Sequence, residues 1–491
     1  MKIEPIMPKY QSYLGDESRA LGYAENIVFA SDTNDICSAI KNASKNKISV
    51  TVQGARTGVV GGAVPHGGLV LNLSKMNNII NMSADRNSNS MRVQAGVTLG
   101  QIEAEANANG LFFPPNPTEQ TATIGGIFAS NATGSSSLLF GDSSKYVSSL
   151  EFVTLSGELW KIKRGEYFFN EDKCPLPNGK EIKIPVNLPH YSIMKYPEQG
   201  TDLIDFLAGS EANLGVVTEL ELRIFPLPSE MWGVVYFFSS LEQAIMFLKQ
   251  LKIWKSSENN AHLMATEFFD EEALKLLSNA RQTSITLKAL PEFPPNTCIA
   301  VYTELCGDDS DELESALMQH LDFFTAVGGK EESTWAETGL SEIRRFRDMR
   351  HAVPELINEA ICLDAEHLFT RCETDFSGCP EKFTEFLEMY YKSVEKLGLK
   401  GLVYGHILQN KMHLALLPQS AKQQEACENL VKLLAEQVVN ESGYLITENG
   451  VGFLKRQLVK SFLHPEVAKL IDDIRLIFDT EMCMKNKENE E

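Results

Sequence analysis

The sequence predicts an α+β protein of two or three domains. A chain of 491 residues is too long for a single hydrophobic core. Its N-terminal half places strand-like runs around glycine-rich loops, whereas strand-like and helical runs alternate from Met231 onward. The strand-like runs at 232–238 and 298–305 are followed by helical runs at 241–251 and 310–324. This second region is typical of an α+β domain.

The composition excludes several classes of protein. The hydrophobic content of 43% is ordinary for a globular protein, and the formal net charge of −21 without a basic block argues against nucleic-acid binding. An anionic substrate would therefore need a local cationic pocket. No apolar run reaches the length of about 18 residues expected of a membrane span. The nine cysteines form no C-x-x-C pair, which indicates reduced thiols in a cytoplasmic protein without its own iron–sulfur cluster.

The N-terminal elements follow from local signals. An N-cap signal at 31–33 and apolar residues at helical spacing predict a helix over 31–46. Alternation at 91–97 predicts a strand, and Gly110 ends a short helix that starts at Leu99. The lysine-, proline- and asparagine-rich residues 163–189 predict a surface insertion of low order.

A glycine-rich stretch at 53–65 connects two strand-like runs, 48–52 and 68–73. Four glycines fall within nine residues, at 54, 58, 61 and 62. Glycine tolerates positive φ, so backbone N–H groups can turn toward one anion such as a pyrophosphate. No helical pattern follows directly, which argues against a Rossmann fingerprint or a P-loop. A β-hairpin with a long glycine loop explains this stretch equally well.

Two further glycine-rich stretches occur at 123–134, after a Pro-Pro turn at 113–118, and at 209–219. In this order and at these separations, the three stretches resemble the FAD-binding domain of the vanillyl-alcohol oxidase/p-cresol methylhydroxylase (PCMH) superfamily. Within it the chain resembles the branch of D-lactate dehydrogenase, the glycolate oxidase flavin subunit and D-2-hydroxyglutarate dehydrogenase. The resemblance extends from about the first strand to near the C-terminus, and it is specific in the N-terminal half and partial in the C-terminal half.

The resemblance implies a two-part fold. Residues 1–228 would form a PCMH-type FAD-binding domain, 229–440 an α+β cap, and 441–491 a helical segment returning to the FAD domain. FAD would be bound noncovalently, because the loop at 53–65 contains no histidine or cysteine that could tether it. The residues expected to bind FAD are Gly54, Ala55, Arg56, Thr57, Gly58, Gly61, Gly62, Pro115, Thr118, Thr123, Gly125, Gly126, Ala129, Ser130, Asn131, Gly134, Glu211, Gly215, Val216 and Val217.

A divalent metal, zinc or manganese, is a further implication. The branch carries two histidines separated by six residues and a glutamate, which match His406, His413 and Glu448. The histidine that follows this glutamate in the family is Asn449 here, and an amide cannot act as a general base. Lys411 places a cation between the two histidines. The alternative is that both are core or cleft histidines without an ion.

An arginine of the branch binds the substrate carboxylate, and Arg350 occupies its position. Four arginines fall within seven residues at 344–350, and an arginine fork suits a carboxylate. The alternative is a solvated basic helix face. His351 is a possible alternative base, and Glu373 replaces a lysine of the family. The expected catalytic residues are thus Arg350, His406 and Asn449.

Three functions remain open from the sequence. The first is an FAD-dependent dehydrogenase that oxidises a D-2-hydroxyacid such as D-lactate, glycolate or D-2-hydroxyglutarate by hydride transfer to flavin N5. The second is a metal-free flavin oxidase or dehydrogenase for another alcohol. The third is a flavoprotein subunit of an electron-transfer complex, with an electron-transfer flavoprotein or an iron–sulfur protein as partner.

Overall fold

The protein was analysed as a computed structural model, which describes residues 2–85, 88–115, 117, 119–257, 259–361 and 369–479. Within these residues the chain divides into two compact units. The first comprises the chain up to Thr133, then Asp142–Leu227, then the chain from Glu448; the second comprises Gly134–Gly141 and Pro228–Thr447.

The strands are numbered in chain order. In the first unit they are β1 Ile3–Pro5, β2 Asn26–Phe29, β3 Val50–Gln53, β4 Leu69–Asn72, β5 Ile79–Asp85, β6 Ser88–Gln94, β7 Leu111–Phe112, β8 Val147–Thr154, β9 Leu159–Lys163, β10 Lys173–Pro175, β11 Glu181–Lys183, β12 Gly215–Arg223 and β13 Phe225–Pro226. In the second unit they are β14 Glu230–Phe238, β15 His262–Phe269, β16 Ile299–Gly307, β17 Thr334–Thr338, β18 Cys372–Glu373, β19 Phe376–Ser377, β20 Gly401–His406 and β21 Lys411–Leu416.

The α-helices are also numbered in chain order. They are α1 Thr33–Asn46, α2 Leu99–Ala108, α3 Ile124–Ser130, α4 Ser137–Phe140, α5 Leu203–Leu207, α6 Leu241–Lys255, α7 Glu271–Ala280, α8 Ser310–Ala326, α9 Leu340–Ala360, α10 Phe383–Leu397, α11 Ala421–Asn440, α12 Arg456–Ser461 and α13 Pro465–Phe478. Short 3-10 helices span Pro8–Leu14, Ser143–Tyr146, Leu287–Ala289, Glu331–Ser333, Pro380–Lys382 and Ile407–Gln409.

The first unit contains two main sheets. One has the order β1-β2-β4-β3, and the other, antiparallel sheet has the order β5-β6-β12-β8-β9. Strands β3 and β4 flank the glycine-rich stretch and pair in parallel, with Val50 opposite Leu69. Parallel neighbours need a crossover rather than a hairpin turn. The β-hairpin interpretation of residues 53–65 is therefore wrong.

Helix α1 forms where the sequence predicts it. Asp32 caps its first turn by accepting a hydrogen bond from the amide of Asp35, and Lys47 ends it in the left-handed conformation. Ile36 and Ile40 on its apolar face are fully buried. Helix α1 contacts β4 and β8, so it packs between the two sheets.

Two parts of the first unit differ from expectation. Residues 163–189 contain the β10–β11 hairpin, whose Cys174 and Ile182 are fully buried, so the predicted low order is wrong. Residues 124–130, with two glycines, form helix α3, which Thr123 caps. The two C-terminal helices belong to this unit, and the ring of Phe478 lies 5.4 Å from that of Trp160.

The second unit is built on one sheet of order β17-β14-β16-β15-β20-β21-β18, in which β19 also pairs with β21. Alternate residues of β14 face opposite sides. Tyr236 contacts Phe247 of α6 and Phe324 of α8, whereas Phe237 belongs to the cluster that contains Phe346 of α9. The period of two thus buries both faces under helices, and the predicted strand–helix alternation is confirmed.

Candidate active site

The glycine-rich loop of the first unit is held at both ends by one buried amide. Gln53 donates through Nε2 to the carbonyl oxygens of Tyr13 at 2.8 Å and Ala63 at 2.7 Å. Gly61 has φ of 76°, which favours glycine. A Cβ at Gly58 would meet no protein atom within 4 Å. The loop is therefore anchored while its glycine backbone stays open to a close ligand.

Helix α3 packs against this loop without side-chain bulk. A Cβ on Gly54 would lie 2.1 Å from Oγ1 of Thr123, and one on Gly125 would lie 2.8 Å from Cβ of Ala95. The amide of Gly125 donates to the carbonyl of Ala95 at 2.8 Å. A Cβ is thus excluded at Gly54 by the side chain of Thr123 and at Gly125 by the close approach of Ala95.

A fourth segment, which sequence analysis did not assign to FAD binding, joins the three glycine motifs in the first unit. The carboxylate of Glu211 accepts hydrogen bonds from the amides of Val451 at 2.6 Å and Gly452 at 2.8 Å. Glu448 accepts a hydrogen bond from Thr133 at 3.0 Å. Gly450 and Gly452 adopt positive φ, which the presence of glycine in the sequence permits. Their contacts with Glu211 and Val60 cannot be read from the sequence.

The residues predicted to bind FAD lie in the first unit, with two qualifications. Gly134 belongs to the second unit, and Thr118 lies outside the described residues. Arg56 has φ of 65° and its guanidinium stacks on the ring of Tyr13 at 4.3 Å. Asn449 is half-buried in the loop between Glu448 and Gly450.

A buried group of charges occupies the second unit. Arg350 of α9, Glu267 of β15 and His406 of β20 are 4%, 0% and 3% exposed. Nε of Arg350 lies 2.9 Å and Nδ1 of His406 lies 2.7 Å from the Glu267 carboxylate. Glu267 and His406 come together because they are register partners on neighbouring strands. Arg350 is therefore buried and ion-paired, and the interpretation as a solvated helix face is wrong for this arginine.

The pKa values in this group reflect its pairing. Burial raises the pKa of Glu267, but His406 and Arg350 outweigh it and lower the pKa to about 2. Burial, followed by the charges of Arg350 and Arg347, lowers the pKa of His351 to about 4. His351 is thus neutral at pH 7 and weakly basic, which disfavours the alternative base considered from the sequence.

A second buried network lies beside the first. Arg371 forms a two-pronged pair with Glu373 through Nε at 2.8 Å and Nη2 at 3.0 Å, and the Tyr404 hydroxyl donates to Glu373 at 2.7 Å. Arg347 pairs in the same way with Glu304 at 2.7 and 2.5 Å. Arg371 thus provides a cation next to Glu373, the residue that replaces a lysine of the resembled branch. Arg371 lies only two residues before Glu373 in the sequence, but the fold is needed to bring the Tyr404 hydroxyl to this pair.

Comparison with known proteins decides the family. A model described as "FAD binding domain" matches residues 24–163, and one described as "FAD linked oxidases, C-terminal domain" matches residues 227–485, more than half of the chain. The chain belongs to the FAD-linked oxidase family.

Curated relatives of this FAD-linked oxidase extend over nearly the whole chain. It is 25% identical to D-lactate dehydrogenase of Anaerostipes hadrus, covering 96% of this chain and 91% of the relative. It is 26% identical to D-lactate dehydrogenase of Archaeoglobus fulgidus, covering 97% and 95%. A solved structure of alkyldihydroxyacetonephosphate synthase shares the fold, with a TM-score of 0.63 at 12% identity, covering 98% of this chain and 81% of that one.

The FAD-linked oxidase assignment confirms the predicted PCMH-type fold, an oxidoreductase activity on a small molecule and FAD as cofactor. The open space beside Gly58 and the positive φ of Gly61 suit a loop whose backbone approaches a cofactor closely. Noncovalent attachment, the residues that bind FAD and the protein partners stay predictions. No helix among the described residues combines the length and apolarity needed to span a membrane. The cytoplasmic location stays a prediction.

The fit to a metal is incomplete. His413 places Nδ1 3.1 Å from the carbonyl oxygen of Thr374, which can only accept, so Nδ1 carries the proton and the lone pair is on Nε2. Nδ1 of His406 lies 2.7 Å from the Glu267 carboxylate. This arrangement suits metal ligands. Across the described residues, however, no three histidine, cysteine, aspartate or glutamate side chains are grouped to hold an ion.

Proposed function

We propose that this FAD-linked oxidase is a dehydrogenase that oxidises the hydroxyl group of a D-2-hydroxyacid, such as D-lactate, to the 2-oxoacid. The observation that carries the proposal is the buried group of Arg350, Glu267 and His406. It combines a guanidinium suited to a carboxylate with an imidazole suited to a hydroxyl proton. The names of the curated relatives support the same substrate class.

Arg350 would bind the substrate carboxylate. Arginine presents five N–H donors in a planar fork, a geometry that suits a carboxylate. The ring of Tyr404 lies 5.0 Å below the guanidinium and restricts its plane. An arginine held in this way loses less side-chain entropy when an anion binds.

His406 would act as the base, since Asn449 cannot. The Glu267 carboxylate lies 2.7 Å from Nδ1 of His406, so a proton on this atom would face the carboxylate. It also stabilises the imidazolium that forms when Nε2 takes the hydroxyl proton, as in a carboxylate–histidine pair. FAD supplies the two-electron oxidant that accepts the substrate hydride. Nε2 of His406 would take the proton of the substrate hydroxyl as the carbonyl group forms.

The charges of the second unit favour a substrate with one carboxylate. Arg347 and Arg371 are paired with Glu304 and Glu373, so their positive charges are already neutralised. A second substrate carboxylate would enter this group without an added cation, and burying an uncompensated charge is costly. D-lactate or glycolate is therefore expected to react better than D-2-hydroxyglutarate.

The experiment is anaerobic reduction of the bound flavin, followed by its absorbance. D-lactate, L-lactate, glycolate and D-2-hydroxyglutarate are compared with methyl D-lactate, which lacks the carboxylate. We expect D-lactate to reduce the flavin and its methyl ester to react at least about tenfold more slowly, which corresponds to one charge-assisted hydrogen bond. Dithionite provides the control that the flavin is reducible.

The outcomes separate the competing functions. Reduction by neutral alcohols but not by any 2-hydroxyacid would contradict the proposal and favour a metal-free oxidase for another alcohol. The same reactions are run after chelator treatment and with added zinc or manganese. A strict metal requirement would assign Nε2 of His406 to an ion, because one lone pair cannot serve both roles.

A further inference from the structure

We propose that Glu211 is a positioning residue, whose carboxylate holds the loop 448–454 in the register that the reaction requires. The loop carries Glu448 and Asn449, which the resemblance places at the reaction centre. Its attachment to Glu211 is independent of the substrate. The effect on catalysis rests on the proposed function.

The contact is a carboxylate on two consecutive amides. Oε1 of Glu211 accepts from the amide of Val451 at 2.6 Å, and Oε2 accepts from that of Gly452 at 2.8 Å. Glu211 and Ala212 both have positive φ, 49° and 60°, which L side chains adopt rarely. Strained backbone of this kind persists only where the surroundings enforce it. The two hydrogen bonds from the amides of Val451 and Gly452 are one such constraint.

The glycines of the loop are matched to this carboxylate. A Cβ on Gly450 would lie 2.8 Å from Oε1 of Glu211, and a Cβ on Gly452 would lie 2.2 Å from the carbonyl oxygen of Val60. The amide of Leu454 donates to the same carbonyl at 3.0 Å. The loop therefore bridges Glu211 and the glycine-rich loop that contains Val60.

The environment of Glu211 requires these bonds. Burial raises the pKa of its carboxyl group, whereas the amides of Val451 and Gly452 and the charges of Lys455 and Arg456 lower it. Glu211 is half-buried, and a carboxylate that is partly withdrawn from water without donors is disfavoured. Glutamine retains one acceptor oxygen but turns an NH2 group toward an amide N–H, so it cannot satisfy both amides.

The test compares Glu211→Gln with Glu219→Gln, a change at another glutamate of the same unit that pairs with Arg92. Hydrogen exchange is measured on the FAD-loaded protein, over the peptide spanning 448–456 and over a reference peptide in β8. One charge-assisted hydrogen bond is worth about 1.5–3 kcal/mol, so we expect roughly 10- to 100-fold faster exchange in the loop alone. The control variant is expected to leave the loop unchanged.

Catalysis provides the readout that separates positioning from a structural role. In Glu211→Gln we expect the limiting rate of flavin reduction by D-lactate, expressed per bound FAD, to fall about tenfold or more, with substrate KM little changed. Glu211→Asp keeps the charge and is expected to recover part of the rate. It also serves where the glutamine variant does not fold.

Each outcome bears on the proposal. Unchanged exchange in the loop of Glu211→Gln would overturn the attachment. Faster exchange with an unchanged reduction rate would overturn the positioning role. If the wild-type protein is not reduced by any 2-hydroxyacid, the proposed function fails, while the exchange measurement still tests the attachment by itself.

Discussion

Replacing Glu267 with glutamine is expected to destabilise the second unit strongly. Glu267 is fully buried, and its carboxylate lies 2.9 Å from Nε of Arg350 and 2.7 Å from Nδ1 of His406. Glutamine has nearly the same volume, so packing changes little. The guanidinium, however, would remain buried without its counter-charge. Removing one partner of a buried ion pair typically costs about 3–5 kcal/mol.

The lowered pKa of Glu267 indicates a loss of folding free energy of similar size. It falls from 4.5 to about 2 on folding. At about 1.36 kcal/mol per unit of pKa, ionised Glu267 contributes about 3 kcal/mol to stability near neutral pH. The unfolded chain binds this proton more readily than the native state does. The contribution is therefore complete above about pH 4.5 and is lost as the pH falls toward 2, so the difference between wild type and Glu267→Gln should shrink in acid.

The assay is denaturant unfolding followed by tryptophan fluorescence in a Trp160→Phe background. Trp160 is in the first unit, so the remaining tryptophans, Trp232, Trp254 and Trp335, report on the second. Because a two-unit protein need not unfold in one step, the midpoint of this transition is the quantity compared.

The control for Glu267→Gln is Glu388→Gln, which removes an exposed i,i+4 pair with Lys392 and should leave the midpoint almost unchanged. A midpoint for Glu267→Gln equal to that of the control at pH 7 would refute the reasoning. A difference from wild type that does not diminish between pH 5 and pH 3 would refute the part that rests on the pKa.

Three further predictions concern the cofactor and the reaction. Gly125→Val should lower the FAD content of the purified protein, measured by absorbance, because a Cβ would lie 2.8 Å from that of Ala95; full occupancy would remove α3 from the FAD site. Arg350→Lys should raise the KM for D-lactate about tenfold or more in flavin reduction, since lysine loses the planar fork. An unchanged KM would move the carboxylate site elsewhere. His406→Gln should slow flavin reduction by about 10²–10⁴-fold, because the base is removed. A rate near wild type would exclude His406 as the base.

Local sequence patterns determined much of this protein. Helix α1 follows from its cap and apolar spacing, and the strand–helix alternation of the second unit follows from its periodicity. The glycines of the FAD motifs are also readable, because glycine allows close backbone approach and positive φ whatever surrounds it. These features depend on residues near one another in the chain.

Only the tertiary structure determined which strands and side chains contact one another. The pattern at 48–73 is compatible with a hairpin or a crossover, and only sheet pairing chose the parallel arrangement. Arg350 could be a solvated cation until the fold brings Glu267 against it. Glu211 likewise meets Val451 only in the folded unit. Partner choice over such separations depends on strand register and packing, because local periodicity specifies which face a side chain occupies but not what lies opposite.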